Sequence, residues 1–377
     1  MAALERSVVD PEAVDTLAAI LRAQGFRVLG PTIRDGAIVN DEFTSVADLP
    51  VGWTDAQEGG TYRLQRRQDR ACFGYALGPH SWTQFLRPAR LRLWQARRLE
   101  GGFEVGQEPP EESPLAFIGV RSCELQAIGV QDRVLLEGTY SESDYAARRR
   151  GAFIVALNCS DPGGTCFCAS MGTGPKVSGG HDLVLTEILE GEHRLLVEPG
   201  SERGAEVLRH LPRRPATPTD RRAAERVVAA AAARMGRTLD TTAIRDLLAR
   251  NLEHPRWDEV AGRCLTCGNC TLVCPTCFCT TVEDATDLAG KGAERWRSWD
   301  SCFSVEYSYI HGGSIRPSVR SRYRQWLAHK FGTWHDQFGT SGCVGCGRCI
   351  TWCPVAIDVT EELATIRATE GDAHAHH

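Results

Sequence analysis

Along the first two hundred residues the apolar positions alternate between two periods. Val14, Leu17, Ala18 and Leu21 recur at helical spacing, so residues 11–24 read as a helix closed by Gly25. Phe26–Leu29 and Ala37–Phe43 read as strands around the turn Asp35-Gly36, a hairpin. Leu115–Val120 and Ala152–Leu157 are short continuous apolar runs, the pattern of buried strands, and a helical stretch, Glu124–Leu136, follows the first. Asp182–Leu189 and His193–Val197 form a second hairpin about Glu190-Gly191-Glu192. Such alternation predicts a sheet covered by helices.

A proline-rich stretch, Pro212 to Pro218, breaks the pattern and marks a boundary. Beyond it Asp220 is placed to cap an alanine-rich helix ending at Gly236, and Asp240 to start another through Leu252, before Pro255. Helix is expected to dominate from there, with a pattern at Val319–Phe331 and a capping-box spacing, Asp358 to Glu361, ahead of Glu362–Ala368. The expected division is an amino-terminal domain over 1–212, a helical linker over 213–255 and a carboxy-terminal domain over 256–377.

Composition narrows the classes. The chain has 377 residues, 42% hydrophobic and 24% charged, which excludes a mainly disordered or fibrous protein. A net charge of −5 leaves no basic footprint for nucleic acid. The most apolar run, Val227–Ala233, is far too short for a bilayer span, and the start lacks a leader's apolar core, so a cytoplasmic chain without membrane insertion is expected. Sixteen cysteines in such a setting point to metal or redox chemistry.

The strongest signal occurs twice. Cys264, Cys267, Cys270 and Cys274 precede Pro275; Cys343, Cys346, Cys349 and Cys353 precede Pro354. Each set is C-x2-C-x2-C-x3-C-P, the run that ligates [4Fe–4S] clusters, in which three thiolates serve one cube and the fourth reaches the other. The expected ligands are therefore Cys264, Cys267, Cys270 and Cys353 for one cube, and Cys343, Cys346, Cys349 and Cys274 for the second. Gly268 and Gly347 lie inside the loops, where a left-handed backbone or close approach to sulfur excludes a Cβ. Structural zinc is the alternative, but it favours two separated C-x2-C knuckles. The long insert between the motifs is similar to the helical ferredoxin domains of fumarate reductase and heterodisulfide reductase subunits. The fold class read here is thus α+β: an α/β-type first domain with a helical two-cluster ferredoxin domain after it.

Eight cysteines remain. Cys166 and Cys168 share the phrase Thr-Cys-Phe-Cys with Cys277 and Cys279, and in extended chain both sulfurs of C-x-C face one way. Cys123 and Cys159 each follow a predicted strand, where α/β sheets collect their sites. Cys123, Cys159, Cys166 and Cys168 are candidates for a third cluster; buried, protonated thiols are the equal alternative. Cys277, Cys279 and Cys302 either support the neighbouring clusters or bind something else, and Cys72 reads as core. There is no Walker motif and no dinucleotide fingerprint after a strand. A basic helix, Arg316–Lys330, is either solvated or a source of positive charge near the clusters.

Several phrases together resemble one family. They are Gly78–Trp82, Gly119–Ile128, Gly163–Pro175, Cys274–Cys279, Trp299–Cys302 and His329–Phe331. The chain resembles the beta, electron-transfer subunit of cytosolic NAD(P)-linked nickel–iron hydrogenases, or sulfhydrogenases; a related iron–sulfur subunit of anaerobic sulfite reductase shares the plan. The resemblance, from about Gly78 to Ile366, implies a heteromeric complex with hydrogenase large and small subunits and a flavin subunit that binds NAD(P). It implies electron transfer without a catalytic site on this chain, and it strengthens the third-cluster reading.

Overall fold

The computed structural model describes residues 5–106 and 113–370; the histidine-rich tail and the first four residues lie outside them. An eight-stranded sheet organises the first part. From edge to edge it runs Arg214–Pro215, Ser7–Val9, Arg194–Pro199, Leu183–Ile188, Phe153–Leu157, Leu115–Arg121, Arg27–Arg34 and Ala37–Glu42. The four strands from Leu183–Ile188 to Arg27–Arg34 are mutually parallel, and antiparallel pairs flank them. Every residue of Leu115–Arg121, Phe153–Leu157 and Leu183–Ile188 is buried, as parallel strands covered on both faces must be. Helices Ala13–Ala23 and Ser122–Leu135 pack against this sheet at the places the apolar periods predict.

The proline-rich boundary is built differently from a linker. Arg214–Pro215 adds an edge strand to Ser7–Val9, and helix Pro218–Ala233 lays Ala223 and Ala224 on Val8, Ile188 and Leu196. Asp220 is not its cap. Thr217 caps it, Pro218 opens it, and Asp220 closes the reciprocal bond three residues on, because its carboxylate also holds Arg194 and Arg214. Likewise the next helix starts at Ile244, not Asp240, whose carboxylate is spent on Thr242 N at 2.9 Å.

A second core gathers Trp257, Phe303, Tyr323, Trp326, Leu327, Phe331 and Ile350 with helix Val359–Ala368. The insert between the cysteine motifs departs from the helical expectation. Thr280–Thr286 and Gly292–Trp299 form a hairpin that joins Arg90–Leu99 and Gly102–Gly106 in a four-stranded sheet. Its fixing contacts are cross-strand: Arg92 reaches Glu294 at 2.8 Å across 202 positions, Arg90 lies over Trp296 and Arg295 over Trp94. Half the sheet comes from that distant part of the chain, so no local period announces it. Helix Val319–Ala328 also does not stop at Phe331 but passes through a wider turn, His329–Thr333, into Trp334–Phe338.

Candidate metal centres

The first motif leaves helix Arg256–Arg263 at Cys264 and wraps into a tight loop. Gly268 stands there at φ +76°, and its counterpart Gly347 at φ +74° opens the equivalent turn of the second motif. Cys264, Cys267 and Cys270 share one cavity with Cys353 from the second motif, walled by Phe303, Tyr323, Trp326 and Ile357. Conversely, Cys343, Cys346 and Cys349 are gathered around Cys274 from the first motif. The structure thus brings three cysteines of each motif to the fourth of the other. Amides point at the sulfurs: Thr266 N at Cys264 (3.4 Å), Gly345 N at Cys343 (3.3 Å) and Ile357 N at Cys353 (3.3 Å).

The four candidates of the first domain also converge. Cys123 opens helix Ser122–Leu135 at the end of one parallel strand, Cys159 follows the end of the next, and Cys166 and Cys168 lie in the loop beyond. Cys168 has Cys159 and Cys346 as neighbours, and Cys123 has Cys168, Cys346 and Cys166. Arg121, inside the phrase Gly119–Ile128, places a guanidinium nitrogen 2.6 Å from Cys159 Sγ and donates to Phe73 O at 3.0 Å.

Burial pushes the thiols of Cys123, Cys166, Cys270 and Cys349 well above their ordinary range, and those of Cys168 and Cys343 up to about 12. Without a metal these burial-raised thiols would stay protonated. Iron would supply the positive charge that lets such sulfurs be thiolates, so sets of four cysteines fit iron–sulfur clusters.

The second motif is also the joint between the two halves. Gly345 sits at φ +66°, and a Cβ on it would come within 2.7 Å of the Cys168 backbone. Phe167 N donates to Gly345 O at 2.8 Å, and Cys166 Sγ lies 3.6 Å from Cys346 O. Arg348, between Cys346 and Cys349, is buried in an ion pair with Glu124 and donates to Gly78 O (3.0 Å) and His80 O (3.2 Å). Glu124 also accepts from Ser81 Oγ (2.7 Å) and Trp82 N (3.1 Å). That is the work of Gly78–Trp82, whose phrase signals no chemistry by itself.

Lys330 stands out in the sequence only as the end of a basic helix. In the fold it is 3% exposed, with Nζ 3.3 Å from Cys274 Sγ, 3.5 Å from Cys277 Sγ and 3.0 Å from Gly342 O. Burial works against its charge, and the Cys274, Cys277 and Cys343 sulfurs outweigh that, so its pKa lies well above the usual value. The Cys277 thiol and this ammonium hold Cys274 well below the ordinary thiol range. Two half-buried arginines of the helix do something else: Arg320 and Arg324 pair with Glu253. Cys72, read as core, is buried beside Glu187 and His193, whose ligand atoms lie within 4.8 Å of its own. Glu187 is already occupied there by Cys72 N, Phe73 N and His193 Nε2.

Among the described residues, no helix is long and apolar enough to cross a membrane. A 4Fe–4S dicluster domain matches residues 263–357, which hold both motifs, and this favours iron–sulfur over zinc. Sulfhydrogenase 2 subunit beta of Pyrococcus furiosus is 33% identical over 259 residues, 68% of this chain and 75% of that relative. No solved structure matches the chain. With the dicluster motifs in place and that identity running over two thirds of its length, the chain belongs to the sulfhydrogenase beta subunit family.

Proposed function

We propose that this chain is the iron–sulfur electron-transfer subunit of a cytoplasmic multisubunit hydrogenase, in a system that couples hydrogen oxidation or proton reduction to NAD(P). Its partners would be the hydrogenase large and small subunits and a flavin subunit that binds NAD(P). One observation carries the reading: the three cysteine quartets form a string. Cys346 of the second lies among Cys123, Cys166 and Cys168 of the third, and Cys349 of the second has Cys270 of the first as a neighbour. Cubes held by Cys264, Cys267, Cys270 and Cys353, by Cys343, Cys346, Cys349 and Cys274, and by Cys123, Cys159, Cys166 and Cys168 would each take or give one electron. The residues between them keep the string rigid: the Arg348–Glu124 pair and the Gly345 contact fix the second quartet against the third. The sequence carries no nucleotide fingerprint, so the hydride chemistry is assigned to a partner.

The test is anaerobic purification of the native complex with metal analysis of the separated chain. About twelve irons with equal sulfide, co-purifying hydrogenase and flavin subunits, and no hydrogen uptake by the chain alone are expected, at roughly four irons per cube. Zinc in place of iron, or partners with neither a hydrogen-activating nor a flavin subunit, would refute the proposal.

A further inference from the structure

Away from the three quartets, a set of three different ligand types converges. One ligand atom each of Cys72, Glu187 and His193 lies within 4.8 Å of the other two, and among the described residues this is the one group of three that does so. The cysteine quartets are spaced more widely, as sulfurs around a four-iron cube are, whereas this set is of a size for a single ion. Its parts come from two places. Glu187 lies on strand Leu183–Ile188 opposite Leu195, and His193 stands two residues before Leu195, so strand alternation puts both side chains on one face of the hairpin. His193 Nε2 is 2.8 Å from Glu187 Oε1. Cys72 arrives from a loop 115 positions earlier; its amide donates to Glu187 Oε1, and the Phe73 amide donates to Oε2 at 3.0 Å. The carboxylate therefore clamps loop to hairpin, and Arg121 holds the far side of the loop through Phe73 O.

Two features separate this set from a closed core pair with a cysteine beside it. The first is access. Cys72 and Glu187 are buried, yet Cys72 and His193 line an open cavity of about 420 Å³ together with Asp10, Glu12, Asp69 and Arg70. Asp69 is paired with Arg67, which leaves Asp10 and Glu12 against Arg70, so the approach is net negative and favours a cation. The second is spare valence. Glu187 accepts from the Cys72 and Phe73 amides and from His193 Nε2, which fills three of the roughly four lone-pair positions of a carboxylate. Oε2 takes only the Phe73 amide and keeps a lone pair for a metal.

We propose that Cys72, Glu187 and His193 bind one zinc ion, with its fourth position open to the cavity and filled by water. A set of one sulfur, one nitrogen and one oxygen suits zinc, whereas calcium and magnesium take oxygen ligands throughout. Zinc bonds of about 2.0–2.3 Å in a tetrahedron space the ligand atoms roughly 3.3–3.7 Å apart, so atoms already within 4.8 Å need only side-chain rotation. On binding, the Cys72 S–H bond breaks, its proton leaves to water and a Zn–S bond forms. His193 carries its hydrogen on Nδ1 and turns the Nε2 lone pair to the metal, so zinc takes the place of the hydrogen between His193 and Glu187. The Cys72 and Phe73 amides go on orienting the carboxylate from behind, as outer-shell donors do. No electron moves, and the site does not depend on the electron-transfer reading.

The experiment equilibrates the anaerobic, iron-loaded full chain with zinc in a chelator buffer and removes the excess. One zinc per chain, with iron content unchanged, is expected. X-ray absorption at the zinc edge, which iron does not obscure, should show one sulfur at about 2.3 Å and otherwise nitrogen or oxygen at about 2.0–2.2 Å. Cys72→Ala and His193→Gln should each weaken zinc binding by at least about 100-fold, the upper end of what an outer-shell loss costs, and leave iron content as it was. His193 keeps a quarter of its side chain exposed, so His193→Gln spares the core even if Cys72→Ala disturbs it. A chain that retains no zinc, or variants that both retain it like the unmodified chain, would overturn the proposal. So would a shell of four sulfurs with a matching loss of iron, which would put the zinc in the quartets.

Discussion

Removing the buried charge of Lys330 should make one centre harder to reduce. The ammonium lies 3.3 Å from Cys274 Sγ and faces Cys277 and Cys343 as well. A unit charge about 4 Å away at an effective dielectric of about 20 is worth about 4 kcal/mol. The added electron spreads over a whole cube, so roughly half of that, about 2 kcal/mol, reaches it; for one electron this is about 90 mV. Reduction adds negative charge, which the ammonium favours, so Lys330→Met should move the midpoint of the centre held by the second motif about 90 mV more negative. Lys330→Arg, which keeps the charge, should restore most of it. The assay is a redox titration followed by electron paramagnetic resonance on the reconstituted full chain, with iron content as the check on folding. Arg324→Gln is the control, since that guanidinium pairs with Glu253 at the surface. A shift below about 20 mV, or one toward positive potential, would refute the argument, because the sign follows from Coulomb's law alone.

The crossed cysteines make a second prediction: Cys353→Ala should abolish the centre of the first motif and Cys274→Ala that of the second. Spectra showing uncrossed losses would mean that each motif is self-contained. Glu124→Gln leaves Arg348 charged and buried without its partner, so it should cost about 3–5 kcal/mol, read as a lowered urea midpoint of the iron-loaded chain; an unchanged midpoint would show the pair to be expendable. Gly345→Ala places a methyl 2.7 Å from the Cys168 backbone, and iron content should fall by about four as the third quartet is pushed apart. Full iron in that variant would place the third site's rigidity elsewhere.

What the sequence determined by itself is local. Cysteine spacing sets the loop geometry of each motif, and Gly268 and Gly347 declare their left-handed turns right beside the ligands they serve. The apolar runs Leu115–Val120 and Ala152–Leu157 announce buried strands because continuous burial on both faces leaves a continuous apolar signature. The tertiary structure decided everything that joins distant segments. Gly345 looks no different from Gly347 in the sequence, and Thr266 occupies its place in the first motif at φ +52°; only the approach of Cys168 makes the smaller residue necessary there. Glu124 finds Arg348 across 224 positions, and Lys330 finds Cys274 across 56. Charge pairs of that kind have no period along the chain. They are selected by the cost of burying a charge alone, a cost that exists only once the fold has put both partners out of reach of water.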